Sequence, residues 1–291
     1  MMGDGPSPLM LRRRLRTEIR TARLDNDLTQ EQVAKAMDWS LSKMNRIEKA
    51  KTSISINDLK VLLPLYGITD KKRTDELVDL ARAARRPGWW SPYSEYAPPR
   101  LLELIDYESA SAAISQFETM FVPGILQTDE YASAILQAFY DEKPTAERVA
   151  ALVELRTKRR ELVSSENAPK FSFILDESVI HRVVGSPAVA GRQFMHLVDV
   201  AKQPNVTIQV VPFTAGLHPG MTNPFEVVQF ADTPEENIVF LEGPHDDSIV
   251  ENVEEVQDQL ESFGRIAALS LSPATSIDLL SQAAERNGVM G

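Results

Sequence analysis

Arginine presents a two-pronged donor that fits guanine, and asparagine pairs in the same way with adenine. Ser42, Lys43, Asn45 and Arg46 fall within one short run of the segment LTQEQVAKAMDWSLSKMNRIEKAK at 28–51. On a helix over 41–49, at about 100° per residue, Ser42, Arg46 and Lys49 share one side, with Asn45 beside them and Lys43 flanking. Met44, Ile47 and Glu48 take the other side. Such a helix can lay its polar face in a major groove and read base edges. The competing reading is a pair of ordinary core helices with a solvated charged face.

A reading helix must be held up by its neighbours. Thr29, with Gln32 three residues on, has the spacing of a capping box and starts a helix over 30–37. Val33, Ala34 and Met37 form its apolar face, and Ala34 is small enough for a close crossing. Asp38 and Trp39 interrupt the pattern, and Ser40 caps the next helix. Upstream, a helix over 9–25 places Leu11, Leu15, Ile19 and Ala22 near one face. Its arginines 12, 13, 16 and 20 either touch phosphates, which adds affinity without sequence information, or form a solvated face. Downstream, helices are expected over 55–66, stopped by Gly67, and over 70–86.

This stretch resembles the Cro/phage-repressor (XRE) type of helix-turn-helix. Leu28-Thr29-Gln30 and Ile47-Glu48-Lys49-Ala50-Lys51 stand where that family has L-[TS]-Q and L-E-x-G-x. Asp38 and Ala50 stand where the family has glycines, and Asp tolerates the left-handed conformation better than most residues. The resemblance implies that Gln30 meets a phosphate of double-stranded operator DNA at a helix N-terminus and that Ser42, Lys43 and Arg46 face bases. Asn45 joins the base-reading set, and Lys49 and Lys51 are assigned to phosphates. Glu48 lies on the inward side, where a carboxylate is costly unless paired. The resemblance places an arginine at the offset of Arg23 against it, so an Arg23–Glu48 ion pair is expected. A single reading helix has limited affinity, so a homodimer with two such helices about 34 Å apart is expected.

Composition bounds the rest. The 291 residues are 43% apolar and 25% charged, an ordinary globular balance for which two domains are the prior. No run approaches the ~20 apolar residues of a membrane span, and the first residues lack the apolar stretch of a signal peptide. With no cysteine, disulfides, thiolate metal sites and thiol nucleophiles are excluded. A cytoplasmic location is expected. The net charge of -11 is unevenly spread: residues 1–86 hold 18 basic and 12 acidic residues (+6), the remainder 13 and 30 (-17). That split marks a DNA-binding head on an acidic body, which repels DNA and orients the head toward it.

The run RPGWWSP at 86–92 and Pro98-Pro99 mark a boundary. Exposing Trp89, Trp90, Tyr93 and Tyr96 is costly, so they pack on one domain or else cage a ligand. Beyond it, helices are suggested near 99–110, 129–139, 145–164, 187–203, 252–268 and 273–286, with strands near 171–175, 206–212, 225–230 and 238–242. The expected architecture is an N-terminal all-α helix-turn-helix domain of five helices (9–86), a Pro/aromatic linker (87–98) and a C-terminal α+β domain (99–286). Because the last three strands come consecutively, a small, largely antiparallel sheet is expected. The phrases VPGILQT (122–128), ILDE (174–177), PNVTIQV (204–210) and LEG (241–243) resemble actinobacterial regulators that join a Cro-type head to a C-terminal domain of undefined role. That resemblance implies a transcriptional regulator linked to a small partner protein and described as antitoxin-like. A sensory domain for a small-molecule effector is the other role considered for the C-terminal domain. The alternative to DNA-binding regulation is an interaction module that sequesters a small, basic protein.

For catalysis the best candidates are Asp176, Glu177 and Ser178 with His181, after a strand, where hydroxyl, base and carboxylate could meet. A helix cap with a first-turn acid explains the same residues, and no G-x-S-x-G elbow accompanies them. His218 and His245 could supply metal ligands with His181 or His196, but their spacing fits no metal motif. No catalysis, metal or cofactor is expected.

Overall fold

A computed structural model describes residues 7–49, 52–139, 144–231, 233–243 and 247–289. The chain forms two compact units, one ending at Ser91 and one beginning at Pro92.

Among the described residues, the first unit holds α1 (Pro8–Asp25), α2 (Gln30–Ala36), α3 (Leu41–Glu48), α4 (Ile56–Leu65) and α5 (Lys71–Ala83). Local chemistry sets their ends. The Ser7, Thr29, Ser40, Ser55 and Asp70 side chains each accept from a backbone N–H in the first turn of the helix that follows. Thr29 and Gln32 complete the capping box. Asp38 turns the chain between α2 and α3 at φ 54°, and Gly67 leaves α4 at φ 70°. Leu15, Ile19, Val33, Met44, Ile47, Leu59, Leu62 and Leu77 make one core under all five helices.

Arg16, placed by sequence with the outward arginines of α1, is buried; Arg12 and Arg13 are half-buried, and Arg20 is exposed. Of the boundary aromatics, Trp89 and Trp90 meet edge to face at 5.7 Å. In the second unit, Tyr93 accepts from Lys158 Nζ at 2.7 Å and Tyr96 donates to Glu147 at 2.8 Å. The tyrosines therefore pack on a helix of their own unit.

The second unit is α+β. Its sheet has six strands among the described residues: β1 (Ala113–Glu118), β2 (Lys170–Asp176), β3 (Val206–Val211), β4 (Phe225–Gln229), β5 (Ile238–Leu241) and β6 (Ser248–Val250). The order is β3-β2-β1-β4-β5-β6. Strands β1, β2 and β3 pair parallel, while β4, β5 and β6 pair antiparallel from β1 outward. The sheet is therefore mixed. Sequence patterning missed β1 and β6, and β3 sits at the far edge instead of beside β4.

Parallel neighbours need long crossovers, and helices supply them. Helices α7 (Asp129–Phe139) and α8 (Ala146–Arg160) join β1 to β2; α9 (Glu177–His181) and α10 (Pro187–Val200) join β2 to β3. The remaining helices are α6 (Pro99–Ser109), α11 (Val253–Leu269) and α12 (Pro273–Arg286). Phe117, Phe225, Val227 and Val239 pack with Val256 and Ile266 of α11. On the other side chain set, Ile114, Phe171, Phe173 and Ile208 pack with Phe194 and Leu197 of α10 and Leu280 of α12. Both faces are covered, which is why these strands lack a clean apolar/polar alternation. No helix among the described residues is long and apolar enough to cross a membrane.

Candidate nucleic-acid interface

Helix α3 is amphipathic by position. Met44, Ile47 and Glu48 point inward and are buried; Ser42, Arg46 and Lys49 are exposed and Asn45 is half-buried. Leu41, at the first position, is also exposed, at 46%. The side chains of Ser42, Asn45, Arg46 and Lys49 make no hydrogen bond or ion pair among the described residues. Their donors and acceptors are available to a partner outside the domain.

The inward side is fixed by one ion pair. Arg23 Nε donates to Glu48 Oε1 at 2.7 Å and Arg23 Nη2 to Glu48 Oε2 at 3.1 Å, a bidentate fork. The two side chains are 9% and 3% exposed. Arg23 Nη1 also donates to the Leu28 carbonyl, and Gln30 Nε2 donates to Glu48 Oε2 at 2.6 Å. One carboxylate thereby ties the end of α1 and the start of α2 to the end of α3. The bond to Glu48 holds the Arg23 guanidinium still more firmly in its charged form. Burial pushes the nearby Tyr66 phenol upward, with the Glu48 charge adding to it.

Two residues expected to touch DNA are engaged inside the domain. Gln30 is held by Glu48, keeping its second amide hydrogen and its carbonyl for other use. Lys43 Nζ lies 3.0 Å from Asp58 Oδ2 of α4 and 4.2 Å from the centre of the Trp39 ring. Nothing in the local pattern indicated Asp58 as a partner, because that contact spans the turn between α3 and α4; Trp39 lies only four residues before Lys43. Lys51, also expected at a phosphate, lies outside the described residues.

The sequence's catalytic candidates do not assemble into a relay. Ser178 Oγ donates to the Thr119 carbonyl, while Asp176 accepts from the Ser178 N–H as a helix cap. His181 Nε2 is 3.2 Å from Glu177 Oε1 and its ring stacks on Phe213. His218 Nε2 lies 3.7 Å from Asp176 Oδ2, and its ring meets Phe117 edge-on. His196 is lowered by burial and by Arg160. Among the described residues no group of histidines and carboxylates could hold a metal ion. His245 lies outside the described residues.

Comparison with protein families gives two matches. A helix-turn-helix domain matches residues 14–77, and a domain of unknown function, DUF5753, matches residues 101–282. No curated protein and no solved structure matches the chain.

Proposed function

This chain belongs to the DUF5753 family, and from that membership and the helix-turn-helix ahead of it we propose a sequence-specific DNA-binding transcriptional regulator of the Cro/phage-repressor (XRE) type. Its activity is set by the DUF5753 domain, through a small-molecule effector or a small partner protein. The observation that carries this reading is the asymmetry of α3: its inner face is pinned by a buried ion pair, and its outer face presents Ser42, Asn45 and Arg46 without partners among the described residues. A face of short polar and arginine side chains held on a rigid support suits base-edge readout. The protein works in the cytoplasm as a homodimer, with two α3 helices about one DNA turn apart. The reading assigns no enzymatic activity, supported by the engagement of Ser178 and His181 in local contacts.

Within this reading Arg46 reads a base, Gln30 meets a phosphate with the amide hydrogen that Glu48 leaves over, and Lys49 touches backbone. Arg46→Ala should weaken binding to a selected operator by about 1–3 kcal/mol and relax preference at one base pair. Titration of selected and random duplexes at matched salt measures this. Equal losses on both would take Arg46 out of the reading set, and failure to select any sequence would remove the function itself.

Lys43 is reassigned from base reading to positioning, because its ammonium is shared between Asp58 and Trp39. Lys43→Met should leave the base-preference profile unchanged at every position. In thermal unfolding, Lys43→Met and Asp58→Asn should couple by roughly 0.2–1 kcal/mol, the range of partly exposed pairs. A shifted preference at a single base pair in Lys43→Met would return it to the base-reading set.

The strongly acidic second unit also supports the interaction-module reading, in which a small basic protein is the partner. Co-purification with and without operator DNA separates the two: a sequestering module holds its partner whether or not DNA is present, and selects no sequence.

A further inference from the structure

One face of the sheet in the second unit carries three polar side chains where apolar ones are the rule. Gln116 and Glu118 of β1 and Glu226 of β4 are 4%, 7% and 2% exposed. Gln116 and Glu226 stand directly opposite in the antiparallel ladder, a position that brings side chains together on one face. Glu108 from α6 and Arg159 from α8 complete the group. Arg159 holds Glu108 bidentately, with both bonds 2.6 Å, and reaches Glu226 Oε2 at 3.6 Å. Gln116 Nε2 donates to Glu118 Oε1 at 2.8 Å.

The group has too many acceptors. Among the described residues Gln116 Oε1 and Glu226 Oε1 are both buried without a hydrogen-bond partner, and a buried unpaired acceptor costs roughly 1–3 kcal/mol. Three carboxylates facing one guanidinium also leave uncompensated negative charge out of water, which is costlier still. A single hydrogen answers both difficulties. We infer that Glu226 is protonated in the folded domain and that its Oε1–H donates to the carbonyl Oε1 of Gln116, so that this face of the sheet is a built proton-binding site. The position of each group supports this. Glu108 is the charged partner of Arg159, and Glu226 is the carboxyl across the strand from an orphaned amide carbonyl. Burial raises Glu226, with the Glu108 charge and a hydrogen bond to Glu108 reinforcing it and Arg159 opposing it. Burial also raises Glu118, with Glu242 adding to it and Gln116 and Arg159 opposing.

The inference is independent of any role in DNA binding, and its consequence is a sign. A carboxyl that the fold keeps protonated binds more protons folded than unfolded. Its stabilisation is complete below the ordinary glutamate value of about 4.3 and is lost as pH rises above it. The folding constant falls about tenfold per pH unit for each such proton, up to the folded-state pKa.

Glu226→Gln places an uncharged N–H donor opposite Gln116 and tests the site in the full-length protein. Backbone hydrogen exchange in β1 and β4 reports the second unit directly. The variant should lose about one proton's share of the pH dependence, a tenfold shallower fall per pH unit, while Glu118→Gln retains that share. Carbon-13 glutamate labelling supplies a direct readout. A carboxyl carbon at the protonated position at about pH 7 should be present in the wild type and retained in Glu118→Gln, and the signal of Glu226 should be absent in Glu226→Gln. An unchanged slope in Glu226→Gln, or a protonated signal as intense in that variant as in the wild type, overturns the proposal. Should that variant not fold, the wild-type spectrum decides: all glutamates ionised at about pH 7 overturns the site, and a protonated one lost in Gln116→Leu, which removes its acceptor, supports it.

Discussion

Glu48→Ala should destabilise the first unit by about 3–5 kcal/mol, a large fraction of a small domain's stability. The Arg23–Glu48 pair is almost wholly withdrawn from solvent, so removing the carboxylate strands a guanidinium. Gln30 loses its acceptor in the same step. Arg23→Ala should cost a similar amount from the other side, and the double variant less than the sum of the two, because the second change removes the charge stranded by the first. Denaturant unfolding of the full chain can follow this unit alone, since Trp39, Trp89 and Trp90 all precede the division at Ser91. DNA binding by Glu48→Ala should fail in step with unfolding, without altered base preference in the folded fraction. Strictly additive losses would show that the pair contributes nothing as a pair.

Arg159→Met should destabilise the second unit by about 3–5 kcal/mol. Among the described residues Arg159 is the ion-pair partner of Glu108, 1% exposed, and it leans toward Glu226. Its removal leaves Glu108 buried and charged, so burial should raise the pKa of that carboxyl in the variant. A raised carboxyl stabilises the fold below its unfolded value and loses that contribution as pH rises. The deficit of Arg159→Met should therefore shrink as pH falls toward about 4. Adding Glu108→Leu should recover much of the loss, because an apolar pair of similar volume replaces a buried ion pair at little net cost. Calorimetry of the full chain across pH measures both effects. A deficit that is flat with pH and unrelieved by Glu108→Leu would mean that Arg159 acts through packing alone.

Sequence patterning captured what is local. Thr29 and Ser40 cap helices because a side-chain oxygen satisfies a nearby N–H, a matter of two or three residues. Gly67 takes left-handed backbone because it has no Cβ, and Asp38 because its short polar side chain tolerates that conformation. The 3.6-residue period separated Met44, Ile47 and Glu48 from Ser42 and Arg46 before any neighbour was known. Charge alone divided a basic head from an acidic body.

What the sequence left undetermined depends on contacts between distant segments. Strand β1 reads AISQFE, whose polar residues suggest a solvent face, yet both sides of it are covered and Gln116 and Glu118 are buried against each other. Its place at the centre of the sheet, parallel to β2 and antiparallel to β4, follows from crossovers that no window of sequence contains. Strand β6 is three residues long and carries too little pattern to register. Lys43 has the same type and spacing as a base reader, and only the approach of α4 brings Asp58 to it. Glu108, Arg159, Gln116 and Glu226 come from two helices and two strands, so their shared charge balance exists only once the sheet is closed over by α6 and α8. Periodicity and capping act over a few residues and are written in order along the chain. Pairing, register and buried charge are set by which segments meet, and tertiary structure alone decides that.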